Sequence, residues 1–234
     1  MLELFPGGFE EVERRDGVEL IGYTDAGGEE RMWHAFGAAS GRDVSTGWEE
    51  RWREFHKPVV VDGLWIGPPW EPRPADRPTV VIDPGRAFGT GAHATTRLTL
   101  RLLATLERGS LLDIGCGSGV LSIAAARLGF GPITAVDIDA QAVAAARRNA
   151  AANRVSLSSL VADALQDELP PADVAVANVT HETVAAAAPR LEVARLVTSG
   201  YLVSDPPLPP DGFVHVARLA EDGWAADAYA RSAQ

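Results

Sequence analysis

A chain of 234 residues has room for one full α/β domain and a small additional module, and its 46% apolar content is that of a globular protein. Lys and Arg number 21 against 32 Asp and Glu; the net charge of −11 excludes the basic face of a phosphate-backbone binder and suits a basic protein partner, although many acidic proteins are merely well solvated. A single cysteine, Cys116, excludes a disulfide framework and a cysteine-rich zinc site; with no apolar run near the ~20 residues of a membrane span and no signal-peptide pattern at the start, a reducing, cytoplasmic setting is expected.

Residues 1–45 read as a small α+β module, in which Val18-Glu19-Leu20-Ile21-Gly22-Tyr23 has strand composition and 29–38 helical spacing. Residues 46–78 read as a linker with Trp48, Trp52, Phe55, His56 and Lys57 near its start. Within it, Val59-Val60-Val61 and Leu64-Trp65-Ile66 flank Asp62-Gly63, the pattern of a tight hairpin. Pro68, Pro69, Pro72, Pro74 and Pro78 then break regular structure and mark the start of a domain over 79–234. From there strands and helices alternate. Strands are expected at 79–82, 110–114, 133–137, 158–161, 174–178 and 198–203, and helices at 96–106, 119–128 and 140–153. Residues 214–219 and 224–229 suit a closing antiparallel pair. The alternation predicts a Rossmann-like α/β domain whose mostly parallel central sheet is covered on both faces.

The strongest motif is Leu111-Leu112-Asp113-Ile114-Gly115-Cys116-Gly117-Ser118-Gly119. An apolar strand ends in a glycine-rich turn that opens a helix, which lets backbone approach a ligand with no Cβ in the way. Glycines at 115, 117 and 119 depart from the Gly-x-Gly-x-x-Gly of dinucleotide sites, so no pyrophosphate needs cradling. Asp137 ends the next strand, where a carboxylate can accept from both ribose hydroxyls, whereas Asp139 is better placed to cap the following helix. S-adenosylmethionine fits this pair, with Gly115, Gly117 and Asp137 as contacts. Asp163, after the following strand, is either an acceptor for the adenine amine or a surface turn residue.

The loop Asp83-Pro84-Gly85-Arg86-Ala87-Phe88-Gly89-Thr90-Gly91-Ala92-His93-Ala94-Thr95-Thr96 suits a lid over a cofactor, with Phe88, Gly89 and Thr90 as candidate contacts. Its threonines can equally cap the next helix. His93 is a candidate ligand contact, base or structural residue, and no second His or Cys stands at metal spacing, so no metal is assigned. Asn178 finishes the apolar Val174-Ala175-Val176-Ala177, at the sheet edge where open α/β folds bind ligands. Its carbonyl is suited to orienting a substrate amine. The followers Val179, Thr180 and His181 differ from the two prolines and aromatic residue of base-amine methyltransferases, which counts against a nucleic-acid substrate.

In these blocks the chain resembles the PrmA family, the ribosomal protein L-eleven methyltransferases. The likeness runs from Trp48 to the end, and its most specific part is Phe-Gly-Thr-Gly-x-His-x-Thr-Thr from Phe88 to Thr96. It implies cofactor contacts at Thr96, Gly115, Asp137 and Asn178, and methylation of lysine and terminal amines on a large-subunit ribosomal protein. The front departs from the family: Leu2 to Glu13 matches the middle of a ferredoxin-like recognition domain, past its first strand and most of its first helix. Neither direct nucleic-acid binding nor a membrane is expected. Three rivals stay open: a methyltransferase of another protein lysine or small amine, a noncatalytic cofactor-binding interaction module, and a nicotinamide-dependent dehydrogenase.

Overall fold

The structure is a computed structural model and describes residues 9–14, 17–22, 56–83 and 91–232. The chain divides into two compact units, Met1–Trp52 and Arg53–Gln234. In the first, β1 (Phe9–Arg14) pairs antiparallel with β2 (Gly17–Gly22). Composition predicts β2 but not β1, because Phe9 and Val12 stand three apart, a helical rather than a strand spacing. The helix expected at 29–38, and Trp48, Trp52 and Phe55, lie outside the described residues.

The second unit opens with a small sheet. β3 (Val59–Val61) and β4 (Leu64–Gly67) pair antiparallel around Asp62 and Gly63, whose positive φ values of 47° and 84° suit a type I′ turn. β5 (Thr79–Val81) pairs parallel with β4, so the proline-rich stretch between them connects two neighbours in one sheet.

The main sheet contains β6 (Leu111–Ile114), β7 (Ile133–Asp137), β8 (Ser158–Val161), β9 (Val174–Asn178), β10 (Arg195–Leu202), β11 (Phe213–Glu221) and β12 (Trp224–Arg231). Its order is β8-β7-β6-β9-β10-β12-β11. The first five in that order run parallel, and β12 is antiparallel to both its neighbours. Successive residues point to opposite faces: Leu111, Val174 and Val176 join one buried cluster, Leu112, Ala175 and Ala177 the other. The first face is covered by α1 (Ala94–Ala104) and α2 (Val120–Arg127), through Leu98, Leu103 and Ile123. Burying each such side chain contributes about 2 kcal/mol. α3 (Ala140–Ala152) begins at Asp139, whose carboxylate accepts from the Gln141 amide at 2.8 Å as a capping residue should. α4 (His181–Ala187) is absent from the expected elements, since its seven residues bury only Val184 and Ala187 and show too little periodicity. Among the described residues no helix is long and apolar enough to cross a membrane.

The chain runs from β6 outward through β7 and β8, then returns to place β9 on the other side of β6. The strand order reverses there, and that reversal opens a crevice beyond the carboxyl ends of β6 and β9.

Candidate active site

Strand register sets the groups at this crevice in a row. Ile114 pairs with Val136 on one side and Ala177 on the other, so the next residues along, Asp137, Gly115 and Asn178, stand at one level on adjacent strands. Val161 and Ser199 extend the row outward on β8 and β10. With strands ~4.8 Å apart, Asp137 and Asn178 flank the glycine loop at roughly 10 Å.

The glycine loop turns through positive φ at Gly115 (69°), Gly117 (52°) and Gly119 (80°). Asp137 holds it from the front: Oδ2 accepts from the Gly117 amide at 2.9 Å while Oδ1 accepts from the Asp139 amide at 3.0 Å. Each oxygen keeps a lone pair for a ligand hydroxyl. Gly119 precedes α2 without a side chain to cap it, and Asp113 supplies the missing cap from the strand below. Its Oδ2 accepts from the Ser122 hydroxyl at 2.6 Å and the Ser122 amide at 3.0 Å. Asp113 Oδ1 is buried with no hydrogen-bond partner among the described residues. Burial pushes this carboxyl up to about 6, and the negative Asp137 adds to the effect. Burial likewise raises the Cys116 thiol, which is therefore inert.

Across the crevice, Asn178 Nδ2 donates to Thr95 Oγ1 at 3.1 Å, and Thr95 Oγ1 lies 2.8 Å from His93 Nδ1. The Thr95 amide also donates to that nitrogen, at 3.4 Å. Nδ1 is thus the acceptor, and the ring's proton belongs on Nε2. His93, not a threonine, caps α1, because Thr95 and Thr96 lie buried within its first turn. The His93 ring meets Trp224 edge-on at 4.8 Å between centroids. Trp224 opens β12 beside the turn of the β11–β12 hairpin, which is pinned to α1: Arg97 donates to Glu221 at 2.8 Å and Arg101 to the same carboxylate at 2.5 Å. The Arg97 and Arg101 guanidiniums hold Glu221 below the usual carboxylate range.

The chain after Asn178 passes through a gap made by two glycines. A Cβ on Gly115 would fall 2.6 Å from Val179 Cγ1, and one on Gly200 would fall 2.5 Å from the Val179 carbonyl. Gly200 has φ 114° and sits at a bulge in β10. Two residues beyond Val179, the His181 ring stacks on Tyr201 at 3.7 Å.

Of the expected site residues, the structure brings Gly115, Gly117, Asp137, Asn178 and His93 to this crevice, whereas Thr96 is buried within the first turn of α1. Asp163 stands just past β8 and uses both oxygens within its own turn, accepting from the Leu165 amide and from Gln166 Nε2. Phe88, Gly89 and Thr90 lie outside the described residues. Sequence reasoning missed Thr95 and Trp224 as partners of Asn178 and His93. It also missed Ile138, which is 70% exposed directly after Asp137 and offers an apolar surface beside the carboxylate. A large apolar residue following a strand-terminal acid was the available signal. Among the described residues no three His, Cys, Asp or Glu side chains group as a metal site would need.

A family profile described as ribosomal protein L11 methyltransferase (PrmA) matches residues 34–205. The chain is 39% identical over 191 residues to a ribosomal protein L11 methyltransferase of Legionella pneumophila (strain Lens), covering 76% of this chain and 66% of that one. It is 41% identical over 194 residues to the protein of the same name from Gloeobacter violaceus, covering 76% and 61%. The aligned part thus spans just under two thirds of each relative's length. In structure it resembles the ribosomal protein L11 methylase of Lactobacillus delbrueckii subsp. bulgaricus, with a TM-score of 0.65 and 27% identity over 75% of this chain and 99% of that one. The profile match takes in the glycine loop, Asp137 and Asn178 together, and with it the chain belongs to the ribosomal protein L11 methyltransferase (PrmA) family.

Proposed function

We propose that the chain is an S-adenosylmethionine-dependent N-methyltransferase that modifies lysine, and also terminal, amines of a large-subunit ribosomal protein. The observation that carries this reading is the hydrogen-bonded chain from Asn178 through Thr95 to His93, facing the Asp137-braced glycine loop across the switch point. The cofactor suits the groups present. Asp113, Asp137 and Asp139 place negative charge at the loop, which favours a ligand with ammonium and sulfonium groups over a pyrophosphate and so disfavours the dehydrogenase reading. Asp137 and the exposed Ile138 would take the ribose hydroxyls and one face of the base. Gly115 and Gly117 would hold the rest.

Bound there, S-adenosylmethionine supplies a methyl group on a positively charged sulfur. The chain's own task is to position the neutral amine. His93 Nδ1 accepts from the Thr95 hydroxyl, so Thr95 Oγ1 is left to accept from Asn178 Nδ2. The amide is thereby fixed with Oδ1 available to the incoming amine. A lysine amine, ordinarily near pKa ~10.4, must lose its proton to solvent before it docks in neutral form on Asn178 Oδ1. His93 serves as the orienting group rather than as the base.

The test is cofactor titration and radiolabelled methyl transfer to purified large-subunit ribosomal proteins, on one preparation. Asn178→Ala should lose about 10²-fold in transfer while retaining most cofactor affinity. Unchanged turnover removes Asn178 from this role. Tight cofactor binding with no label on any ribosomal protein moves the substrate elsewhere.

A further inference from the structure

Helix α3 carries the buried Asn149, and its C-cap residue, four positions on, is the buried Asn153. Asn153 treats Val81 as a neighbouring strand would: Oδ1 accepts from the Val81 amide at 2.8 Å and Nδ2 donates to the Val81 carbonyl at 2.6 Å. Asn149 repeats this two residues further along, accepting from the Asp83 amide at 3.0 Å and donating to the Asp83 carbonyl at 3.4 Å. The repeats match because four helical residues rise about 6.0 Å and two extended residues about 6.6 Å. The pair of side-chain amides therefore acts as a substitute strand along β5 and its continuation.

Asn149 makes one bond that Asn153 lacks. Its Nδ2 donates to the Ser118 carbonyl at 2.9 Å, inside the glycine loop. α3 also lies directly against this loop, since a Cβ on Gly119 would fall 2.9 Å from Ala146 Cβ, one turn before Asn149. We propose that Asn149 is a positioning residue for the cofactor loop, holding Ser118 from behind while Asp137 holds Gly117 from the front. The inference rests on reading that loop as the cofactor site. Two fixed points on consecutive residues set the direction of the intervening peptide, and with it the path of the loop from the exposed Gly115 to α2. Asn149 is also the link through which the loop and the β5 segment share one hydrogen-bonded anchor.

The experiment compares Asn149→Asp with Asn153→Asp. Each keeps the acceptor that serves the β5 segment and replaces the donating NH₂ by oxygen, so both weaken the substitute strand, but only the first turns an acceptor on Ser118. Thermal unfolding, S-adenosylmethionine affinity and amide hydrogen exchange over 115–122 are measured on both, with cofactor KM and kcat on an accepted amine. The expected result is that both lower Tm, while Asn149→Asp alone raises Kd and KM by roughly tenfold, leaves kcat nearly unchanged and speeds exchange in the loop. Equal Tm losses with unaltered affinity and exchange overturn the inference. If the parent chain binds no S-adenosylmethionine, the cofactor reading fails, and loop exchange in the ligand-free chain still decides whether Asn149 braces the loop. Should Asn149→Asp not fold, Asn149→Ala compared with Asn153→Ala, each of which removes the side-chain amide without adding charge, takes its place under the same criteria.

Discussion

Asp113 illustrates how much one side chain's surroundings alter its chemistry. The motif marks it only as an acidic residue in an apolar strand; the structure buries it completely and makes it the cap of α2. Sequence reasoning looks for a capping side chain at the residue before the helix, and here that residue is Gly119, so the cap comes from a strand instead. The carboxyl is pushed up to about 6 by burial, above its unfolded value. The folded state therefore binds more protons than the unfolded state between about pH 4 and pH 6, and stability falls as pH rises through that window. Above pH 6 the charged form costs roughly 3 kcal/mol. Asp113→Asn, which carries no charge at any pH, should flatten the fall. Urea unfolding of both proteins from pH 4 to pH 7 measures this, and parallel pH slopes would refute it.

The β11–β12 hairpin is held by one fully buried carboxylate at the level of the element. Asp227 accepts from His215 Nε2 at 2.8 Å, from Arg218 Nε and one terminal nitrogen at 3.0 Å each, and from the Tyr201 hydroxyl at 2.8 Å. Arg218 stands opposite it on β11 and Tyr201 belongs to β10, so a single group ties three strands together. Burial and the neighbouring negative charge of Asp227 keep the Tyr201 phenol above its usual range, so it stays protonated and donates. Asp227→Asn should destabilise by about 3 kcal/mol, because it leaves Arg218 without its counter-charge. Chemical denaturation measures this, and a change below ~0.5 kcal/mol would show the network to be dispensable. The closing antiparallel pair was legible from alternation at 214–219 and 224–229. Its function as the platform that brings Trp224 to His93 was not, because that depends on where the hairpin docks.

Charge acts over the whole molecule. A net charge of −11 gives little reason to expect a nucleic-acid partner and good reason to expect attraction to a basic polypeptide. Attraction of this kind is screened by salt, whereas the short-range contacts proposed for S-adenosylmethionine in the crevice would be screened far less. Raising salt from about 50 to about 300 mM should increase KM for a basic ribosomal-protein substrate several-fold and leave cofactor Kd nearly constant. Steady-state kinetics with parallel titrations check this; equal salt dependence of both constants would argue that docking does not use the global field.

The sequence by itself determined what nearest neighbours decide. Alternating apolar strands and helices settled the fold class, the glycine spacing with Asp137 located the loop, and Asn178 was recognisable as a polar end to a buried strand. Each depends on period, turn chemistry and spacing along neighbouring stretches of chain. The tertiary structure decided which of these side chains meet. Asn178 reaches Thr95 across 83 positions of chain, and Asn149 reaches Asp83 across 66. Such pairings follow from the reversal of strand order at β6 and from the face on which each helix packs. Those are outcomes of burying one shared core, and local pattern does not specify them.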